Sequence, residues 1–167
     1  MKKYEFTGET KTVQFLFENV TLHRIQAITS FENVVAGELG GWIEKEENLS
    51  QGGNAWVGGN AQVSGNAQVR GNAWVGGNAW VRGNAQVCGD ARVFSINHIL
   101  TIGVIGSRDD FTTFYRDKDN EITVKCGCFS GKIDKFLEKV AQTHGDSKYA
   151  QVYKKAVELA KLQILTG

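Results

Sequence analysis

The sequence predicts a mainly β chain: a parallel β-solenoid of short strands, followed by a small α+β domain. Three observations predict this. Val recurs every six residues at Val57, Val63, Val69, Val75, Val81, Val87 and Val93. Ala recurs in another phase from Ala55 to Ala91, and Gly closes each unit from Gly59 to Gly89. A six-residue period is too short for a helical repeat and fits one short strand and one corner per unit. After Ser95 the period stops, and alternating and helical patterns replace it.

At 167 residues there is room for one domain, or for a solenoid with a small globular partner. A net charge of +1 with no Lys/Arg run argues against a bulk grip on nucleic acid. Gly is abundant, with 20 residues, and the glycines of the hexads fall in phase with the repeat, so they mark corners and not disorder. Met1-Lys2-Lys3-Tyr4-Glu5 lacks the apolar core of a signal peptide, and no apolar run is long enough for a membrane span. Cys88, Cys126 and Cys128 make an odd number of thiols. Together these predict a reduced, cytoplasmic setting.

Residues 1–38 read as an N-terminal β cap. Tyr4–Thr7, Val13–Phe17 and Thr21–Ile28 are strand candidates, with Gly8-Glu9-Thr10 and Glu18-Asn19 as turns. Leu22 and Ile28 fall on one side of the third strand, Ile25 and Ala27 on the other. This segment is expected to cover the first coil, since an open solenoid end exposes unpaired strand edges. The solenoid then runs over 39–95. Gly40-Gly41 is a turn, and Ile43 and Leu49 share the six-residue phase of Ala55. Glu44-Lys45-Glu46-Glu47 is an outward corner, read as a solvated acidic loop.

Three hexads to a triangular coil stack residues eighteen apart. One column is then Trp56, Trp74 and Arg92, a second Gln62 and Trp80, a third Gln68 and Gln86. Asn stacks on Asn along the corners, where side-chain amides can satisfy one another. A Trp next to an inward Ala points out, so three Trp would form an exposed apolar patch that marks an interaction site. Self-association as a homotrimer is the expected use. A ligand cleft between subunits, lined by Trp74 and Arg92, is the alternative.

The hexads resemble the Val-x-x-x-Ala-x pattern of the hexapeptide-repeat proteins, a family that includes many acyltransferases. The resemblance implies a left-handed parallel β-helix. The opening from Leu22-His23-Arg24-Ile25 through Leu39-Gly40-Gly41-Trp42-Ile43 to Leu49-Ser50 is similar to hexapeptide-repeat proteins of bacteriophage and prophage genomes. Ile102-Gly103-Val104-Ile105-Gly106-Ser107-Arg108 and Cys126-Gly127-Cys128-Phe129-Ser130-Gly131 resemble a small module found in them. A phage origin implies the host cytoplasm as the place of action.

Residues 96–167 form the α+β domain. Ile99–Ile105, Phe111–Arg116 and Ile122–Cys128 read as a three-stranded meander, with loops at Gly106–Asp110 and Asp117–Asn120. A helix follows from Ile133 to Thr143, with Ser130 as N-cap and Gly145 as its stop. A second helix runs from Ser147 to Leu165, capped by Asp146. Tyr149, Val152, Tyr153, Ala156, Val157, Ala160 and Ile164 recur at helical spacing and are expected to face the sheet.

Three chemistries can be weighed. The family resemblance implies acyl transfer, with a His general base near a loop that breaks the hexad run and the acyl donor held between subunits. The seven hexads contain no His and no insertion; His23, His98 and His144 lie outside, and His98 alone stands just past the last coil. Cys126 and Cys128 would point to the same side of a strand, but two thiols do not make a metal site, and buried structural Cys is the simpler reading. The third chemistry is capture of an anion. Gly106 lets backbone amides approach a ligand, Ser107 offers a hydroxyl, and Arg108 can hold a phosphate bidentately. Thr112, Thr113 and Tyr115 follow with hydroxyls, and Tyr115 could stack on a base. A surface ion pair of Arg108 with Asp109 or Asp110 is the competing reading. The predicted ligand-binding residues are therefore Ser107, Arg108, Thr113, Tyr115, Trp74 and Arg92, with no catalytic residue, metal or cofactor assigned. The expected function is non-catalytic capture of a small anion, concretely a sponge for a host immune-signalling nucleotide. A CoA-dependent acyltransferase and a structural or protein-binding module are the alternatives.

Overall fold

Residues 1–164 are described by a computed structural model, which is mainly β with parallel strand ladders and a small C-terminal helical part. The predicted end of the second helix at Leu165 lies outside the described residues. The chain divides into two compact units, Met1–Ile96 and the remainder from Asn97. No helix among the described residues is long and apolar enough to cross a membrane.

In the first unit, β1 (Tyr4–Gln14), β2 (Asn19–Ala27) and β3 (Leu39–Ile43) precede seven two-residue strands. These are β4 (Trp56–Val57), β5 (Gln62–Val63), β6 (Gln68–Val69), β7 (Trp74–Val75), β8 (Trp80–Val81), β9 (Gln86–Val87) and β10 (Arg92–Val93). They pair in parallel as β4-β7-β10, β5-β8 and β6-β9, so each residue meets the one eighteen further on. The columns are those the period predicts. Every repeat Ala and Val is at most 1% exposed. Backbone donors are satisfied coil to coil, for example Trp56 N–H to Ala73 O at 2.9 Å and Gly58 N–H to Val75 O at 2.8 Å. Asn54 donates to Asn72, Asn60 to Asn78, Asn66 to Asn84 and Asn72 to Asp90, at 3.3–3.4 Å. Gly59 shows why the corners need glycine: its φ is +56°, and a Cβ would lie 3.3 Å from the backbone of Gly77 one coil away.

The first coil corrects the expected phase. Trp42 pairs with Gln62, Ile43 with Val63 and Leu49 with Val69, an offset of twenty. Ile43 and Leu49 thus take the Val position and not that of Ala55. The cause is the corner after Leu49, which carries two extra residues before the regular hexads begin. Gly41 occupies the Ala position of that coil; a Cβ there would lie 2.7 Å from Ala61 O.

The N-terminal segment also differs. Gly8 sits inside β1 as part of an irregularity between Phe6 and Thr10, not in a turn between two strands. β2 pairs with β3, so the sheet runs β1-β2-β3-β5-β8 and the free edge of β3 is covered. The buried side of β2 switches from Val20 and Leu22 to Ile25 and Ala27, where its register against β3 shifts; Ile28 is left exposed. Lys3, 6% exposed, donates to the carbonyls of Gly52, Gly53 and Ala55, which closes the long corner. Burial pushes its pKa down to about 8. The Tyr4 hydroxyl donates to Leu49 O at 2.8 Å, so the cap is fastened through the same corner.

The second unit holds an antiparallel sheet of β11 (Ile99–Ile105), β12 (Asp110–Arg116), β13 (Ile122–Cys126) and β14 (Phe129–Lys132). Helices α1 (Ile133–His144) and α2 (Lys148–Ile164) bury Phe136, Val140, Tyr153, Ala156, Val157, Ala160 and Ile164 against Phe114, Ile122 and Val124. The meander has four strands, not three. Gly127, at φ +58°, opens a two-residue hairpin turn with Cys128, so the chain reverses where a continuous strand was expected. Ser130 consequently lies in β14, and Lys132 occupies the N-cap position of α1. Gly145 ends α1 as predicted, its N–H donating to Ala141 O. Tyr149 is exposed and does not face the sheet.

The turn after β12 is held by Asp117, which is 3% exposed. Its carboxylate accepts from the N–H groups of Asp119 and Glu121, from the Thr123 hydroxyl at 2.7 Å and from Lys132 Nζ at 2.6 Å. Burial alone would raise its pKa, but the hydrogen bonds from Lys132, Thr123 and the two amides outweigh burial and hold it below the ordinary value. A depressed folded-state pKa contributes stability that is present above the unfolded value and lost as pH falls through the folded one. Asp117→Ala is expected to lower the stability of this unit by about 2–3 kcal/mol at neutral pH, since four donors lose their acceptor. Urea titrations should show the gap to the unsubstituted protein closing below about pH 4; a gap independent of pH would contradict the assignment.

Candidate functional site

Two tight turns and two helices converge in the second unit. The β11–β12 turn places Ser107 and Arg108 between Gly106 and Asp109, closed by Asp109 N–H to Gly106 O at 3.3 Å. Gly106 has φ +78°, and any side chain there would strike the Tyr153 phenol, so glycine lets this turn lie against α2. The β13–β14 hairpin comes alongside: a Cβ on Gly127 would lie 3.1 Å from Arg108 Nε. α1 adds Lys139, Thr143 and His144 from its second half. The result is a cleft of about 240 Å³ with Phe129, Phe136 and Val140 among its apolar lining.

Its polar groups are linked. Ser107 Oγ lies 3.4 Å from His144 Nε2. The Tyr153 phenol receives hydrogen bonds from the Ser107 hydroxyl and backbone N–H, and the Cys126 thiol lies 4.0 Å from it. Burial and the neighbouring Cys126 push the Tyr153 pKa up, against the pull of Ser107, so the phenol stays protonated. The His144 ring packs beside Tyr149 and Tyr153, with centroids 5.8 Å from each. Arg108 and Lys139 bring basic side chains to it, and among the described residues none that lines the cleft is acidic. The arrangement can therefore hold an anion at the rim and an apolar group on the floor. Ser107 and His144 are within reach of a shared proton, and no carboxylate among the described residues lines the cleft beside the imidazole.

The six residues named from sequence fall in three places. Ser107 and Arg108 come together in this cleft. Thr113 is 1% exposed and Tyr115 fully buried, so neither offers a surface to a ligand and Tyr115 cannot stack on a base. The strand pattern was legible, but alternating hydroxyls do not reveal that both faces of β12 are covered. Trp74 and Arg92 pair on one ladder in the first unit, yet Arg92 Nη1 donates to the carbonyls of Asn72 and Ala91 at 2.8 Å. The expected Trp patch is also smaller. Trp56 is 2% exposed, its ring set edge-on to Phe31 at 5.6 Å; Trp74 is half-buried, and Trp80 is 40% exposed beside Arg82 and Phe15. The N-terminal segment supplies that cover for Trp56. His98, the sequence candidate for an acyl-transfer base, is 8% exposed, and burial together with Arg116 pushes its pKa down. Cys126 ends β13 and Cys128 lies in the hairpin turn, so the thiols do not share one strand face. No group of three or more His, Cys, Asp or Glu among the described residues is placed to hold a metal ion.

Sequence reasoning missed Lys139, Thr143, His144 and Tyr153. Lys139 and Thr143 are four apart on α1, one turn along the same face. That spacing is visible in the sequence, but the core stripe of the helix does not point to it.

No family model matches the chain. A stretch of 61 residues is 39% identical to an uncharacterized acetyltransferase, YdcK, of Escherichia coli (strain K12), covering 34% of this chain and 19% of that protein. The chain therefore spans about a fifth of the length of the curated relative it matches.

Tyr153→Phe tests the linked polar groups. Losing one hydroxyl that bridges Ser107 and Cys126 should cost about 1 kcal/mol in urea denaturation, with the fold retained. An unchanged midpoint would show that the phenol contributes nothing to holding the turn.

Proposed function

We propose that the chain is a hexapeptide-repeat, left-handed β-helix scaffold whose second unit captures a small phosphate-bearing molecule without transforming it. The observation that carries this reading is the convergence of Arg108, Lys139 and His144 on one cleft with an apolar floor and no acidic lining residue. An arginine fork suits a phosphate, the Lys139 ammonium adds a second charge for its remaining oxygens, and the floor suits a ring. A nucleotide-derived signal of a host cell, met by a phage-type protein in a reducing cytoplasm, has this chemistry. The cleft residues select phosphate plus ring rather than one particular signal. A homotrimer built on the first unit completes the reading, with the exposed Trp80 as its support.

Acyl transfer is the second reading, favoured by the partial likeness to YdcK. Against it stand a hexad run without His and a buried His98.

Calorimetry with ADP-ribose, a cyclic dinucleotide and acetyl-CoA separates the two. The capture reading expects binding of at least one of the first two, weakened roughly 10–100-fold in Arg108→Ala and again in Lys139→Ala, as loss of a charge-assisted bond implies. Ligand recovered after denaturation should be unchanged, and native mass spectrometry of the complex should show three chains of 18.4 kDa. Turnover of acetyl-CoA, altered ligand, or no binding of either phosphate ligand would overturn it.

A further inference from the structure

The hexads differ at the position before their closing glycine. Ser64, Arg70, Arg82 and Cys88 carry side chains there, whereas Gly58 and Gly76 do not. These two bare positions are eighteen residues apart and follow the paired Trp56 and Trp74. Backbone conformation does not require glycine at them: the positive-φ glycines of these corners are Gly59 and Gly77. Four other hexads place a side chain at the same point of the corner. What Gly58 and Gly76 supply is space.

That space is a groove of about 230 Å³ lined by residues that include Glu38, Trp56, Trp74 and Phe94. Phe94 closes one end, since a Cβ on Gly76 would lie 3.2 Å from its ring. The six-membered end of the Trp56 indole packs over Gly40, where a Cβ would lie 2.7 Å from Cζ2. Its pyrrole edge turns toward Gly58, where a Cβ would lie 3.4 Å from Nε1. That indole N–H is buried and has no hydrogen-bond acceptor among the described residues. Buried Trp N–H groups ordinarily find a partner, so this donor suits an acceptor brought to the groove by a ligand.

We propose that this groove binds a neutral, planar heteroaromatic ring, of the nucleobase type, whose acceptor atom takes the Trp56 indole N–H. The volume is below the ~300–1,000 Å³ of drug-sized pockets and suits one ring system. A glycine floor lets a flat ring approach the backbone, Trp74 and Phe94 offer aromatic walls, and the Glu38 carboxylate at the rim disfavours an anion and suits an exocyclic amino group. The site is separate from the cationic cleft and does not depend on that cleft's function.

Indole N–H resonances of the ¹⁵N-labelled protein test this, with adenosine and thymidine as uncharged probes. At least one nucleoside should shift the Trp56 and Trp74 signals saturably. Gly58→Ser copies the residue at Ser64 and meets no close backbone contact. It should weaken binding at least tenfold while the thermal midpoint holds, and Trp56→Phe should weaken it with the acceptor's partner gone. Arg108→Ala should leave it intact. Silence of Trp56 with both nucleosides, shifts that survive in Gly58→Ser, or a Trp56 signal that moves with protein concentration alone, as a second copy in the groove would cause, each overturns the proposal.

Discussion

The first unit depends on one register, residue n bonded to residue n + 18. It sets alternate backbone donors against carbonyls one coil on, and it sends Ala and Val inward at every hexad. Each coil buries only small side chains, so no single contact is strong; the ladder is stable because every hexad repeats the same solution. The same register turns sequence columns into physical neighbours. Asn54 touches Asn72, and Gly59 faces Gly77, because eighteen residues separate them. A substitution at a corner is therefore felt one coil away.

Such a ladder must be closed at its ends, and the structure shows how this is done at one of them. The offset of twenty in the first coil makes a corner too long for the regular pattern, and the carbonyls it leaves are taken up by Lys3. The β1–β2 hairpin covers the edge of β3 with ordinary antiparallel pairing. Burial of a lysine without a carboxylate partner is costly, and it is offset here by three carbonyl acceptors and the ring of Phe31 at 5.1 Å.

How much was legible in the sequence follows from where spacing determines position. The columns of the repeat were legible because Val and Ala allow only one phase. The phase of Ile43 and Leu49 was not, because a two-residue insertion in a corner leaves composition unchanged. β14 was hidden for a related reason: a hairpin turn made by Gly127 and Cys128 is too short to interrupt an apolar pattern. The Ser107-Arg108 turn was legible as a candidate from its residue types. Its companions Lys139, His144 and Tyr153 come from distant helices, and only the packing of α1 and α2 on the sheet brings them to it. Tyr115 was misplaced because burial of a strand on both faces is a tertiary fact.

The repeat supplies a regular ladder with a bare strip at Gly58 and Gly76, and the second unit holds Arg108 and Lys139 at the rim of a cleft with an apolar floor. Backbone amide shift mapping with ADP-ribose tests the central claim most directly. The account predicts perturbations concentrated at Ser107, Arg108, Gly127, Lys139 and His144. Perturbations confined to the hexads, or to the surroundings of His98, would contradict it.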